Sequence, residues 1–194
     1  MARRNDHTRE ELVSITINEV NTFLENKPYH ELSLRKLASL IGYVPSTLVN
    51  IFGSYDLLLL EVNARTLDEL FVDMEKAIYE ESDPLKSLRK MAYCYLNFAE
   101  KNPYRWQLIF QHKVNSDKLP EWHSLRINKL IEILDNLVHK VKPSLSSDEL
   151  TETSRLIWAS VHGITLLSVD DKLFMNKNTN GRILIDNFFN NYFN

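Results

Sequence analysis

The run PSTLVNIF, beginning at Pro45, sets two hydroxyls and one amide, Ser46, Thr47 and Asn50, along a stretch of barely two helical turns. Leu48, Ile51 and Phe52 supply an apolar back to the same stretch. Short hydroxyl and amide side chains bond to phosphate oxygens or base edges, and the Thr47 methyl matches a thymine methyl. A helix this short fits a DNA major groove, which is about 12 Å wide.

A second group has different chemistry. Trp158 and His162 are four residues apart and share one helical face; with Tyr95, Trp106 and Phe110 they are candidates to line a cavity. Aromatic walls with one titratable group suit a mostly apolar ligand of modest size that carries a hydrogen-bonding group. The same residues also read as core aromatics around a hydrogen-bonded core histidine.

Catalytic chemistry finds no foothold. The sequence has no G-x-S-x-G, H-E-x-x-H, Walker-type or G-x-G-x-x-G motif, and no two histidines stand at helical ligand spacing. The expectation is therefore a non-enzyme with no metal and no cofactor. The single cysteine, Cys94, forms no internal disulfide and reads as a small buried hydrophobe.

The elements that must hold these groups are helical. The 194 residues are 44% hydrophobic and 25% charged, with a net charge of −3 and only 4 Gly and 6 Pro. That composition excludes collagen-like, disordered and disulfide-stapled chains, and the scarcity of alternating runs predicts an all-α fold. The opening MARRNDHTREELV lacks an apolar core of signal-peptide length, and no stretch approaches the ~18 apolar residues of a membrane span, so a cytoplasmic protein away from membranes is expected.

Helical period with capping signals predicts about nine helices. Val13, Ile17, Val20 and Leu24 mark the first, over 8–26, with Thr8 as N-cap and Pro28 beyond its end. Ser33 caps a short second helix that Gly42 stops. Pro45 opens the third, and Ser54 caps a long fourth from Tyr55 to about Glu81. Asp83-Pro84 and Asn102-Pro103 open the next two. A polar loop near 113–119 precedes a helix to about Lys142, Ser146 to Glu149 forms a capping box for a helix over 148–172, and an Asn-rich loop, MNKNTNG, leads into the last helix.

The two short helices and the Gly42-Tyr43-Val44 turn make a helix-turn-helix. From Thr8-Arg9 through Val20, Phe23 and Leu24 to SLRKLASLIGYVPSTLVNIFGSYDLLLLEV, the chain resembles the N-terminal DNA-binding domain of the tetracycline-repressor (TetR) family. The resemblance covers residues 8 to about 62. It implies a homodimeric regulator that binds a double-stranded, near-palindromic DNA operator and is released from it, as a repressor, by a small-molecule effector. It implies DNA contacts by Ser33, Tyr43, Pro45, Ser46, Thr47 and Asn50. Arg3, Arg4 and Arg9 near the amino terminus and Arg35 and Lys36 at the start of the second helix are the cations that can face the DNA backbone, with a solvated tail as the alternative reading of Arg3 and Arg4.

Two positions depart from the pattern: Val49 stands where the family commonly has Tyr, and Tyr55 where it has Lys. Val49 offers no hydrogen bond, whereas Tyr55 can still donate one through its hydroxyl. Over residues 1–55 six basic residues balance six acidic ones, so any attraction to phosphates must be local. The alternative class is a helical protein-interaction module that never meets DNA.

By the same resemblance, residues 1–54 form the DNA-binding domain and 55–194 an effector-binding and dimerisation domain. The string Trp158-Ala-Ser-Val-His162-Gly163 also resembles a Trp-His-Gly signature of one class of TetR-type C-terminal domains. Independently, the helix carrying LIWASVHGITLLSV is apolar in nearly every direction and must be covered all round. With Ile185, Phe188, Phe189 and Tyr192 on the last helix, it predicts a two-fold dimer packed through Ile157, Val161, Gly163 and Ile164 as well. Burial of both helices in the monomer's own core is the competing reading. Gly163 costs about 1 kcal/mol relative to Ala inside a helix, which a close helix crossing would offset.

Overall fold

A computed structural model of the chain describes residues 7–114, 119–172 and 179–193. Arg3, Arg4, residues 115–118 of the polar loop and residues 175–178 of the Asn-rich loop lie outside them. The described residues form nine α-helices and one 3₁₀ turn, with no strand among them. The helices are α1 (Arg9–Leu24), α2 (Leu34–Leu40), α3 (Pro45–Phe52), α4 (Tyr55–Ile78), α5 (Pro84–Lys101), α6 (Pro103–Gln111), α7 (Glu121–Val141), α8 (Ser147–Val169) and α9 (Gly181–Phe193). The all-α expectation holds. No helix among the described residues is long and apolar enough to cross a membrane.

Local chemistry sets most boundaries. Thr8 and Glu11 form a reciprocal capping box at α1, and Ser146 and Glu149 form another at α8. Asp83 Oδ1 accepts from the amides of Leu85 and Lys86 to start α5. Gly42, at φ 77°, lets the Tyr43 amide reach back to the Ala38 carbonyl at 2.8 Å, which closes α2 with a left-handed residue. Two ends fall short of expectation. α1 stops at Leu24, and the chain then turns through a 3₁₀ segment, Tyr29–Glu31, that no local signal in the sequence marks. α4 stops at Ile78, and beyond its end the Glu81 carboxylate accepts from the Asp83 amide and pairs with Lys90 at 3.0 Å.

The chain packs as two units. Unit 1 comprises residues up to Thr66 and Asn102–His123; unit 2 comprises Leu67–Lys101 and Ser124 onward. The core of unit 1 gathers Ile17, Val20 and Leu24 of α1, Leu37 and Ala38 of α2, Leu48 of α3, Leu58, Leu59 and Val62 of α4, and Leu108 of α6. In unit 2, α5 packs against α8 and α9. α8 buries Ser154, Ile157, Val161 and Thr165, a stripe at spacings of 3, 4 and 4. α9 buries Gly181, Ile185 and Phe189. Arg89 of α5 donates to the Asp186 backbone carbonyl at 3.2 Å and to Asn190 Oδ1 at 2.7 Å, which fixes α9 to α5.

Candidate nucleic-acid interface

Within unit 1, α3 is held from behind and open in front. Leu48 is fully buried, Ile51 and Phe52 are half-buried, and Ser46, Val49 and Asn50 are exposed on one face, with Thr47 half-buried beside them. Pro45 occupies the first helical position, where its missing N–H removes no helix bond. Gly53 ends the helix at φ 85°, and its amide bonds the Val49 carbonyl at 2.8 Å. Ser54 then caps α4 through the Leu57 amide. Residues 33–54 contain two bases, Arg35 and Lys36, and no acid, so this segment is locally cationic in a chain that is acidic overall.

The cations and hydroxyls around α3 differ in how far they are committed. Arg35 is exposed. Lys36 Nζ donates to the Glu31 carbonyl at 3.3 Å and lies 4.6 Å from the centre of the Phe23 ring. The Ser33 hydroxyl accepts from the Lys36 amide and so caps α2. Tyr43 carries its hydroxyl 2.8 Å from His7 Nδ1. The Tyr55 hydroxyl donates to the Leu32 carbonyl at 2.5 Å, and burial, helped by the adjacent Asp56 charge, pushes its pKa up to about 12. With its proton given to Leu32, Tyr55 has none left for a phosphate. It ties the start of α4 to the residue just before the α2 cap.

α6 belongs to this same unit. Its Leu108 is in the core, and three polar contacts join it to α4. Arg105 donates to Thr66 Oγ1 at 3.1 Å, Asn63 Nδ2 donates to the Leu108 carbonyl at 3.3 Å, and His112 Nε2 lies 3.1 Å from Asp56 Oδ1. Partner numbers fall along α4, from 66 through 63 to 56, as they rise along α6, so the two helices run antiparallel. Trp106 is buried and packs its ring 4.6 Å from that of Phe110.

In unit 2, Tyr95, Trp158 and His162 do meet. Trp158 Nε1 donates to the Tyr95 hydroxyl at 3.3 Å, and that hydroxyl lies 2.8 Å from His162 Nδ1. Burial lowers the His162 pKa and raises that of Tyr95, which favours a neutral imidazole accepting the Tyr95 proton. The chain of donors then runs Trp158 to Tyr95 to His162.

The family model described as "Tetracyclin repressor-like, C-terminal domain" matches residues 88–184, half of the chain. The chain belongs to the TetR family. Among solved structures, a protein of unknown function from Rhodococcus sp. RHA1 is similar to this TetR-family chain with a TM-score of 0.79 at 17% identity, over 99% of this chain and 97% of that one. FadR from Bacillus subtilis, solved with stearoyl-CoA, gives a TM-score of 0.68 at 13% identity over 90% and 94%. AibR, solved with isovaleryl coenzyme A and operator DNA, gives 0.63 at 11% identity over 94% and 96%. At these identities the likeness is one of fold. No curated protein sequence matches the chain.

Against that fold the sequence-read sites sort unevenly. Ser46, Thr47 and Asn50 stand together on the outer face of α3 in the TetR-family helix-turn-helix. Val49, passed over for lack of a hydrogen bond, is 39% exposed between them and offers the apolar surface that a thymine methyl would meet. The aromatic candidates divide, Trp106 and Phe110 lying in unit 1 and Tyr95, Trp158 and His162 in unit 2. The dimer candidates divide too. Ile157, Val161, Ile185 and Phe189 are buried within the single chain, while Gly163, Ile164, Phe188 and Tyr192 are only half-buried. Leu156, Trp158, Leu167 and Ile183 are exposed apolar residues on the same two helices. A groove of about 360 Å³ that the sequence did not signal lies in unit 2 among Ile78, Tyr79, Pro84, Ile133, Leu137 and Lys140, with Glu75 and Glu81 also on its wall. It draws residues from α4, α5 and α7, and only tertiary packing brings those together. No cluster of metal-ligating side chains occurs among the described residues.

Proposed function

We propose that this TetR-family protein is a homodimeric DNA-binding transcriptional regulator, a repressor that leaves a near-palindromic operator when a small molecule binds. The observation that carries the reading is α3: an eight-residue helix pinned by Leu48, with Ser46, Thr47, Val49 and Asn50 turned outward from an acid-free segment. Residues 1–54 read the duplex, and 55–194 bind the effector and dimerise. Ser46, Thr47 and Asn50 contact base edges. Ser33, Arg35, Lys36, Tyr43 and Pro45 position the unit on the backbone, with Arg3 and Arg4 reaching the DNA from the amino terminus. Tyr55 supports the site by bracing α4.

Effector contacts are proposed for Tyr95, Trp158 and His162. Their internal hydrogen-bond chain gives a ligand that displaces one bond a means of loosening α5 from α8. Trp106 and Phe110 take part as residues of α6, which the rungs to Asp56, Asn63 and Thr66 bind to the first three turns of α4. Movement of α6 would thereby reach the helix that follows the recognition helix. AibR and FadR, as solved, hold acyl-CoA esters, so isovaleryl-CoA and stearoyl-CoA are the first effectors to try.

Selection of bound duplexes from a random DNA pool tests the reading. The expected product is a site with two symmetric half-sites, because two-fold related recognition helices enter successive major grooves about 34 to 36 Å apart. Titrating that site with and without each acyl-CoA should give a 5- to 150-fold weaker complex with the true effector, a coupling of about 1 to 3 kcal/mol. A pool that returns only single, unpaired half-sites, or no enrichment, defeats the proposal.

The dimer has its own test at Gly163. A Cβ there would meet no heavy atom within 4 Å among the described residues, its chain neighbours and its own helix backbone aside, so no packing contact described in the single chain requires glycine. Gly163→Leu should therefore leave helix content intact, since leucine is the better helix former by about 0.8 kcal/mol. At a close two-fold crossing of α8 the same side chain would hold the partner off. Sedimentation at micromolar concentration should show the variant as monomer and the parent as dimer; a variant that remains dimeric removes Gly163 and its α8 face from the interface.

A further inference from the structure

His7, just ahead of α1, and Arg9, the first residue of α1, make contacts at the two ends of the recognition helix. Before α3, the Tyr43 hydroxyl lies 2.8 Å from His7 Nδ1. At the other end, Arg9 Nη2 donates to the Ile51 carbonyl at 2.9 Å, from 42 residues away in the chain. Resting on the reading of α3 as the DNA-recognition helix, we infer that Arg9 is a positioning residue that sets how α3 is presented, and that its charge is used on the helix end and not on a phosphate.

The argument starts from what α3 lacks. It has only eight residues, its N-cap is Val44 with no side-chain acceptor, and its last turn contains no basic residue. The final carbonyls of any helix have no in-helix donor, and here the Gly53 amide satisfies only Val49. Arg9 supplies a donor to Ile51 and a full positive charge where the helix dipole is negative. A helix of two turns has little stability of its own, so its attitude is decided by such fixtures. Leu48 fixes its depth. The contacts at Tyr43 and Ile51 fix its direction.

A guanidinium so placed behaves differently from one on a phosphate. Loss of a phosphate contact weakens binding to every duplex alike and lowers the slope of log affinity against log salt by about 1. Loss of a positioning contact weakens the selected site, spares random duplex and leaves the slope unchanged. The experiment uses the full chain as parent, Arg9→Ala and Arg9→Lys, with two readouts: amide hydrogen exchange over residues 49–53 without DNA, and titration of the selected and a random duplex over a range of salt.

For Arg9→Ala the expected results are exchange in that segment about 3- to 10-fold faster, a similar loss of affinity for the selected duplex, and an unchanged slope. Arg9→Lys, which keeps a donor and a charge, should recover most of both. Unchanged exchange in α3, or a uniform loss of affinity with a shallower slope, overturns the inference. If the parent selects no duplex, the DNA reading fails while the exchange comparison still decides whether Arg9 holds α3.

Discussion

Leu48→Ala should abolish operator binding while the packing of α5, α8 and α9 survives. Leu48 is fully buried among Ile17, Leu37, Leu58 and Leu108, and truncating a buried leucine costs about 2 to 5 kcal/mol according to how far the site can collapse. Collapse is hindered here because the neighbours belong to four different helices, each with its own fixtures. The loss falls on the one element least able to bear it, since α3 has a single fully buried side chain and eight residues. Hydrogen exchange should show α2 and α3 opening, and titration should show specific affinity falling at least about 30-fold, the equivalent of 2 kcal/mol. Leu48→Met, which keeps volume, should cost less than about 1.5 kcal/mol and retain binding. Leu48→Ala with parental affinity would mean that α3 is not positioned by this core.

The helices were legible in the sequence wherever a side chain speaks to its own backbone. Thr8 with Glu11, Ser33, Pro45, Ser54, Asp83 and Ser146 with Glu149 all act within three residues, and each stands at the helix start that the sequence implied. Periodicity likewise marked the buried stripe of α1. Contacts between distant residues were not legible. Nothing local says that Arg9 will meet Ile51, that Tyr55 will spend its proton on Leu32, or that His112 will lie against Asp56, because each pair is joined only by tertiary packing.

The same limit explains the apolar helices. Hydrophobicity on every side of α8 predicted coverage on every side. It could not assign Ile157 and Val161 to the monomer's own core and leave Leu156 and Leu167 at the surface. Nor could it foresee that Trp106 packs in unit 1 and Trp158 in unit 2: shared chemistry is visible in a sequence, whereas the membership of α6 in unit 1 depends on Leu108 and its partners. The departures at Val49 and Tyr55 are instructive in opposite ways. Val49 keeps an outward place on α3 without a polar group, while Tyr55 keeps its polar group and turns it inward.

Replacing Thr47 and Asn50 together by alanine should remove sequence preference and leave folding untouched. Asn50 is exposed and Thr47 half-buried, and alanine is the better helix former at both positions, so α3 itself should be no less stable. Each base-edge contact is worth about 1 to 3 kcal/mol of discrimination. If the two act independently, the double variant should lose about 2 kcal/mol or more, at least 30-fold, on the selected duplex. Binding to random duplex and its salt dependence should be unchanged, because phosphate contacts are made by other residues. That pattern separates reading from positioning, which Leu48→Ala cannot do, since a helix that is absent neither reads nor positions. A double variant that keeps full preference for the selected site would place the reading residues outside α3. A loss spread equally over all duplexes would make Thr47 and Asn50 backbone contacts and leave specificity to Val49, Ser46 and the shape of the groove.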